Sequence, residues 1–263
     1  MAFTWAARRQ LGILFLLLVV AGLIFFAASY KIIFRAPTCS DQKQNGTETG
    51  IDCGGTCARF CSADVLPLSV LWARALPVTN SVYNAVAYVE NKNPNAGAPK
   101  IEYEFRLYDA DNKLVVSRSG STYVSANGRT VVFEPSLSVG NRTPKFTIFE
   151  VKNVPLWYME NPLSRNILLS PSDIVLSDEN TSPKLSAKIA NQSQIPLANV
   201  EVAGLLYNAD HNVIGVSRTF IPELSGNSRE SVIFTWPQAL SETIAAKDVV
   251  ARFNPFLLPG SSF

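Results

Sequence analysis

The chain has 263 residues, with 23 lysines and arginines against 21 aspartates and glutamates. All charge before residue 36 is positive (Arg8, Arg9, Lys31, Arg35), and removing those four leaves 19 basic against 21 acidic groups, a net of about −2. That balance excludes the basic face that nucleic acid demands, and the length admits one or two domains.

Residues 1–9 read as a short N-terminal segment on the cytoplasmic side. Gln10 to Tyr30 then carries no charged residue. At about 1.5 Å per helical residue it is long enough for the roughly 30 Å core of a bilayer, so residues 10–30 are expected to be a transmembrane helix whose partner is lipid. A cleaved signal peptide ending at Ala27-Ala-Ser29 is the alternative. The apolar run is longer than such peptides use, and Lys31-Ile-Ile-Phe-Arg35 reads as an interfacial helix end. Basic residues flank the span on both sides, so charge does not orient it. The cysteines do: Cys39, Cys53, Cys57 and Cys61 all follow the span, as disulfides in an oxidising compartment would. The expectation is a single-pass chain with its N-terminus inside and its C-terminal domains extracytoplasmic.

Residues 31–64 hold this cysteine-rich segment. Between Cys39 and Cys61 only Ile51 and Phe60 are large and apolar. Such a piece needs staples rather than a core. Four cysteines allow three pairings, and the spacing selects none of them. Zinc is disfavoured because paired C-x2-C knuckles and a nearby histidine are both missing. Asp41, Asn45, Glu48 and Asp52 are oxygen donors on a Gly-broken loop and the candidate ligands for calcium; the competing role for them is turn formation. Cys39, Asp41, Asn45-Gly46, Glu48-Thr49, Asp52-Cys-Gly-Gly55 and Cys57 together resemble a short module of bacterial surface proteins. The match departs at Gln42, where the module has glycine, and at the three-residue gap before Cys61. The resemblance implies an exported envelope protein of no particular activity.

From Val65 onward the chain alternates apolar and polar residues between Asn, Gly and Pro turns, which is the pattern of strands. In Ile101-Glu-Tyr-Glu-Phe-Arg-Leu-Tyr108 the residues Ile101, Tyr103, Phe105 and Leu107 share one face, as a half-buried strand requires. Gln238–Lys247 is the one stretch that admits a short helix. The pattern also recurs about 100 residues later. Val89-Glu-Asn91 is echoed by Ile189-Ala-Asn191, Leu107-Tyr-Asp-Ala-Asp-Asn112 by Leu206-Tyr-Asn-Ala-Asp-His211, Ser117-Arg118 by Ser217-Arg218, and Val131-Val-Phe by Val232-Ile-Phe. The period matches an immunoglobulin-like sandwich, so the chain is expected to be all-β: sandwiches at 65–158 and 168–257, a linker at 159–167 and a tail at 258–263. The Asp/Asn clusters after each Leu-Tyr suit hairpin turns. Phe105-Arg-Leu-Tyr-Asp109 resembles the signature of the FxLYD domain family, with Gly204-Leu-Leu-Tyr-Asn208 a weaker second copy. That resemblance implies small extracytoplasmic β-sandwiches and a structural role for these residues.

In the second repeat Leu205 and Tyr207 fall on the strand face that is charged in the first. They are expected either to pack on the first sandwich or to form a partner surface. No catalytic residue is expected: His211 is the sole histidine, it sits in a turn, and neither a nucleophile elbow, a zinc-protease helix nor a phosphate loop occurs. Four Asn-x-Ser/Thr triplets begin at Asn45, Asn141, Asn180 and Asn191. The expected role is a non-catalytic binding or adhesion module engaging a protein or envelope polymer, without a cofactor unless calcium binds. The alternatives are a structural stalk or assembly subunit and, behind both, an anchored hydrolase.

Overall fold

The computed structural model describes residues 5–33 and 38–260. Residues 1–4, Arg35 and residues 261–263 of the expected tail lie outside them. Helix α1 runs Trp5–Ile33. Its window Arg9–Ala27 has a mean hydropathy of 2.7, and none of it is buried against the rest of the chain. It is long and apolar enough to cross a membrane.

All the other extended elements are strands. They are β1 (Arg59–Phe60), β2 (Ser69–Thr79), β3 (Val82–Asn91), β4 (Ala96–Tyr108), β5 (Leu114–Val124), β6 (Gly128–Ser138), β7 (Phe146–Asn153) and β8 (Trp157–Met159), then β9 (Leu169–Ser177), β10 (Lys184–Asn191), β11 (Leu197–Tyr207), β12 (Val213–Leu224), β13 (Arg229–Thr235) and β14 (Ala246–Arg252). They form four antiparallel sheets. The first is β5-β4-β7, extended at the start of β4 by β8 and β1; the second is β2-β3-β6; the third is β12-β11-β14; the fourth is β13-β10-β9. Each sandwich therefore repeats one plan, with β9, β10 and β13 standing for β2, β3 and β6, and β11, β12 and β14 for β4, β5 and β7.

The sheets stack in the order first, second, third, fourth, with an apolar layer between each pair. Between the first and second lie Ile101, Phe105 and Leu107 from β4, Ala85, Ala87 and Val89 from β3, and Leu137 from β6. Between the third and fourth lie Val202 and Leu206 from β11, Leu185 and Ile189 from β10, and Phe234 from β13. The middle layer joins the two sandwiches: Leu76, Val86, Val131 and Phe133 meet Ala203, Leu205, Val213 and Val216, with Trp72, Tyr88, Tyr207 and Val250 at its margin. Strand β3 makes this arrangement possible. Its run Ala85-Val-Ala-Tyr-Val89 is apolar on both faces, as a strand covered on both sides must be.

One expectation needs correction. No helix forms in 238–247; Leu240 and Ile244 pack on the second core and β14 begins at Ala246, so burial of these two side chains fixes the segment. Pro255–Leu257 form a 3-10 turn capped by the Asn254 side chain, and Phe256 and Leu258 are buried. The cysteine-rich segment also merges with the first sandwich, because Arg59 pairs with Tyr158 and Phe60 with Trp157.

Candidate functional site

The cysteine segment is closed by the disulfides Cys39–Cys57 and Cys53–Cys61. All four sulfurs are thereby removed as thiolate ligands, including the two that lie beside Glu48. The carboxylates serve the backbone. Asp52 accepts from the amides of Asp41 (2.9 Å) and Gln42 (2.9 and 3.0 Å). Asp41 accepts from the Lys43 amide at 3.0 Å and from Asn45 Nδ2 at 2.9 Å, and Glu48 accepts from the Asn45 amide at 3.0 Å. The four calcium candidates are thus brought together as a turn-forming network, in which Asn45 Oδ1 alone is a buried acceptor without a donor. Gln42 takes φ 60°, the left-handed conformation that the glycine of the resembling module would adopt more easily.

Of the two roles expected for Leu205 and Tyr207, the structure shows packing on the first sandwich and not a free partner surface. Leu205 is 1% exposed, and both residues lie in the layer between the sandwiches. Full burial of a leucine contributes about 2 kcal/mol, so the covered face of β11 is a substantial part of the contact. Polar staples flank it on both sides. Glu201 accepts from Arg252 at 2.7 Å and from Arg218 at 3.3 Å. Arg252 also donates to Thr122 Oγ1 (2.9 Å) and the Tyr123 carbonyl (3.1 Å) of the first sandwich, with its guanidinium 4.4 Å from the Tyr123 ring. Arg218 lies over Phe133 at 5.2 Å. Toward the other end, Arg74 donates to Asn212 Oδ1 (2.6 Å) and to the Val213 carbonyl (3.4 Å). Burial pushes the phenols of Tyr123 and Tyr207 up to about 12; at Tyr207 the charge of Asp248 adds to it, and at Tyr123 Arg252 works against it.

These contacts fix how the sandwiches lie. They touch sheet face to sheet face, so they sit side by side, and corresponding strand ends point the same way. At one pole the cysteine segment joins β8, Leu66 and Asn93 exchange two hydrogen bonds, Glu160 accepts from the Ala126 amide, and Asn161 donates to the Pro259 carbonyl. The opposite pole carries the paired hairpins. Asp109 Oδ1 accepts from the amides of Asp111 (3.0 Å) and Lys113 (2.9 Å), and Asn208 Oδ1 from those of Asp210 (3.1 Å) and Asn212 (2.8 Å). Asn112 and His211 both take φ 58° there, so His211 is a turn residue. A cleft of about 340 Å3 opens between the sandwiches near this pole, lined among others by Arg74, Lys145, Ser241 and Glu242. A more apolar groove of about 580 Å3 runs between β2 and β7, past Leu66, Leu68, Val151 and Trp157.

The inter-sandwich residues Trp72, Tyr88, Glu201 and Arg252 escaped the sequence reading. The two-faced apolar run of β3 was the signal that could have found them.

No known family pattern matches the chain, and no curated protein does. Among solved structures it is similar to a red sea bream transglutaminase, at 14% identity over 72% of this chain and 31% of that one, with a TM-score of 0.23. It is also similar to a β-glucuronidase of glycoside hydrolase family 2, at 6% identity over 66% of this chain and 24% of that one, with a TM-score of 0.22. The chain spans less than a third of either enzyme, and likeness at this level carries no argument about activity.

Proposed function

We propose that this chain is a non-catalytic binding module of the cell envelope, held by α1 in the membrane with its N-terminus inside. In this reading the cysteine segment and both sandwiches are extracytoplasmic, and the hairpin loops at the pole away from the anchor meet a protein or envelope polymer. The side-by-side packing of the sandwiches is the observation that carries it. Two sandwiches joined end to end would extend reach, as a stalk needs. Two packed face to face add no height and double the width of the loop-bearing pole. Disulfides placed directly after an apolar helix support the compartment. The doubled Leu-Tyr pattern agrees with extracytoplasmic sandwiches of the FxLYD type.

The experiment is retention of envelope components on immobilised residues 36–263 and on a variant whose Asp109–Asn112 and Asn208–Asn212 turns are replaced by plain Asn-Gly turns. Saturable retention lost in the variant supports the binding role. Retention unaffected by the turns, or none at all, favours the second reading of a structural subunit, which the closed face of β11 also suits.

A further inference from the structure

The pole beside the cysteine segment is built from loops that hydrogen bonds tie into one belt. The Met159 amide donates to the Ala58 carbonyl, the Glu160 amide to the Asn95 carbonyl, Asn161 Nδ2 to the Pro259 carbonyl and the Gln192 amide to the Leu168 carbonyl. Leu66 joins the belt through Asn93, and Arg165 joins it through Asn95. Five large apolar side chains stand open on this belt: Leu66, Met159, Leu163, Leu168 and Leu257 are between 44% and 63% exposed. Leu163 and Leu257 belong to short 3-10 turns, each capped by an asparagine, so their backbone is fixed.

The opposite pole differs. Its connections 109–113, 140–145, 178–183 and 208–212 contain no leucine, isoleucine, valine, methionine or phenylalanine. In the belt segments 92–95, 159–168 and 255–259 the charged residues are Lys92, Glu160 and Arg165. Glu160 is buried against the Ala126 amide and the Ser164 hydroxyl, while Lys92 and Arg165 are exposed. The nearby carboxylates of the cysteine segment are engaged within it: Asp41, Glu48 and Asp52 by backbone amides, Asp64 by the Thr49 hydroxyl. Exposed aliphatic side chains beside outward basic groups suit a lipid headgroup layer. The course of the chain brings that layer to this pole. Helix α1 ends at Ile33 and Cys39 is already bonded into the cysteine segment, so residues 34–38 alone separate the apolar helix from the belt's pole. Fully extended, that stretch reaches about 20 Å. A tether this short keeps the lipid surface at high effective concentration around the belt.

We infer that this pole lies in the headgroup layer of the membrane that α1 crosses, with Leu66, Met159, Leu163, Leu168 and Leu257 against lipid. The inference rests on the anchored reading of α1 and adds a second membrane contact to it. The contact holds the body upright instead of leaving it to swing on its tether. The strands then run away from the bilayer, and the hairpins at Asp109–Asn112 and Asn208–Asn212 face outward. Strand β5 has 11 residues, so at about 3.3 Å per residue the far pole stands roughly 35 Å above the belt.

The test places one nitroxide label at a time on the full chain in vesicles of phosphatidylethanolamine and phosphatidylglycerol. The native cysteines are all in disulfides, so an introduced cysteine is the one free thiol. Labels at Leu163→Cys, Leu168→Cys and Leu257→Cys are expected to favour collision with oxygen over a water-soluble nickel chelate several-fold more than a label at Asn141→Cys on the far pole. Adding Leu163→Glu and Leu257→Glu is expected to return the label at 168 to the value at 141. Water-like ratios at both poles overturn the inference. So does shielding of the belt labels from both probes, which would place a protein or a second copy there. A label at Leu17→Cys in α1 reads the anchor separately. If it is lipid-like while the belt is water-like, the pole contact fails and the anchor stands; if it is water-like, both fail.

Discussion

Asn191 is 1% exposed, and its side chain ties the end of β10 to two loops. Nδ2 donates to the carbonyls of Ile195 (2.8 Å), Leu224 (3.2 Å) and Ser225 (3.2 Å), while Oδ1 accepts from the Ser193 amide at 3.0 Å. Asn91 does the same in the first sandwich, donating to Ala96 and Ser125 carbonyls and accepting from Asn93. The echo of Asn91 in Asn191 was visible in the sequence, but its reason was not, because each side chain also reaches carbonyls more than 30 residues away, at Ser125 for Asn91 and at Leu224 and Ser225 for Asn191. Asn191→Ala removes the donor to the buried Leu224 carbonyl and to the half-buried Ser225 and Ile195 carbonyls, and is expected to lower stability by about 2 kcal/mol, read from urea unfolding. The same burial also excludes Asn191 as a glycan acceptor, whatever its triplet suggests. The pairing of the four cysteines was equally hidden, since it depends on how Asp52 and Asp41 fold the loop. Glu201 is the most demanding single residue. Glu201→Ala removes the one carboxylate held between Arg218 and Arg252, whose side chains are 23% and 13% exposed. Breaking a buried pair of this kind costs roughly 3–5 kcal/mol. A loss below about 1 kcal/mol in denaturant titration would show that the arginines find water instead.

At the scale of elements, β4 was legible because its two faces differ: a period of two separates Phe105 and Leu107 from Glu104 and Arg106. Strand β11 was only half legible. Its inner residues Val202 and Leu206 follow the same rule, but Ala203 and Leu205 break it, and the break marks the sheet that the first sandwich covers. The segment 238–247 was misread for a related reason, since the spacing of Leu240 and Ile244 suits a helix turn as well as two pegs into a core. The middle layer has a pH signature. Tyr123 and Tyr207 have folded values near 12, above the value of about 10 in an unfolded chain. A raised value favours the neutral phenol in the folded state. The contribution is therefore complete below pH 10 and is lost as the pH rises through 12. Alkaline titration is expected to show tyrosinate absorbance and loss of β-sheet circular dichroism rising together above pH 10. Free ionisation of all eight tyrosines near pH 10 with the fold intact would contradict the burial.

At the scale of the molecule, the two repeats behave as one body because each lends the other a sheet face. The sequence pattern suggested two tandem sandwiches, yet their relation depends on residues such as Trp72, Tyr88 and Phe133, whose partners are contributed by the other repeat. Leu205→Glu places a charge in the centre of the layer, where it has no designed partner. It is expected to separate the sandwiches, seen as a larger radius of gyration in solution scattering with both individual folds retained. The same view predicts that neither repeat is fully stable alone, since each would expose the apolar face that the other now covers. Calorimetric unfolding of residues 36–263 tests this most directly. One transition, with calorimetric and van't Hoff enthalpies equal, is the expected result. Two resolved transitions, one per sandwich, would contradict the single four-sheet body on which the proposed display surface depends.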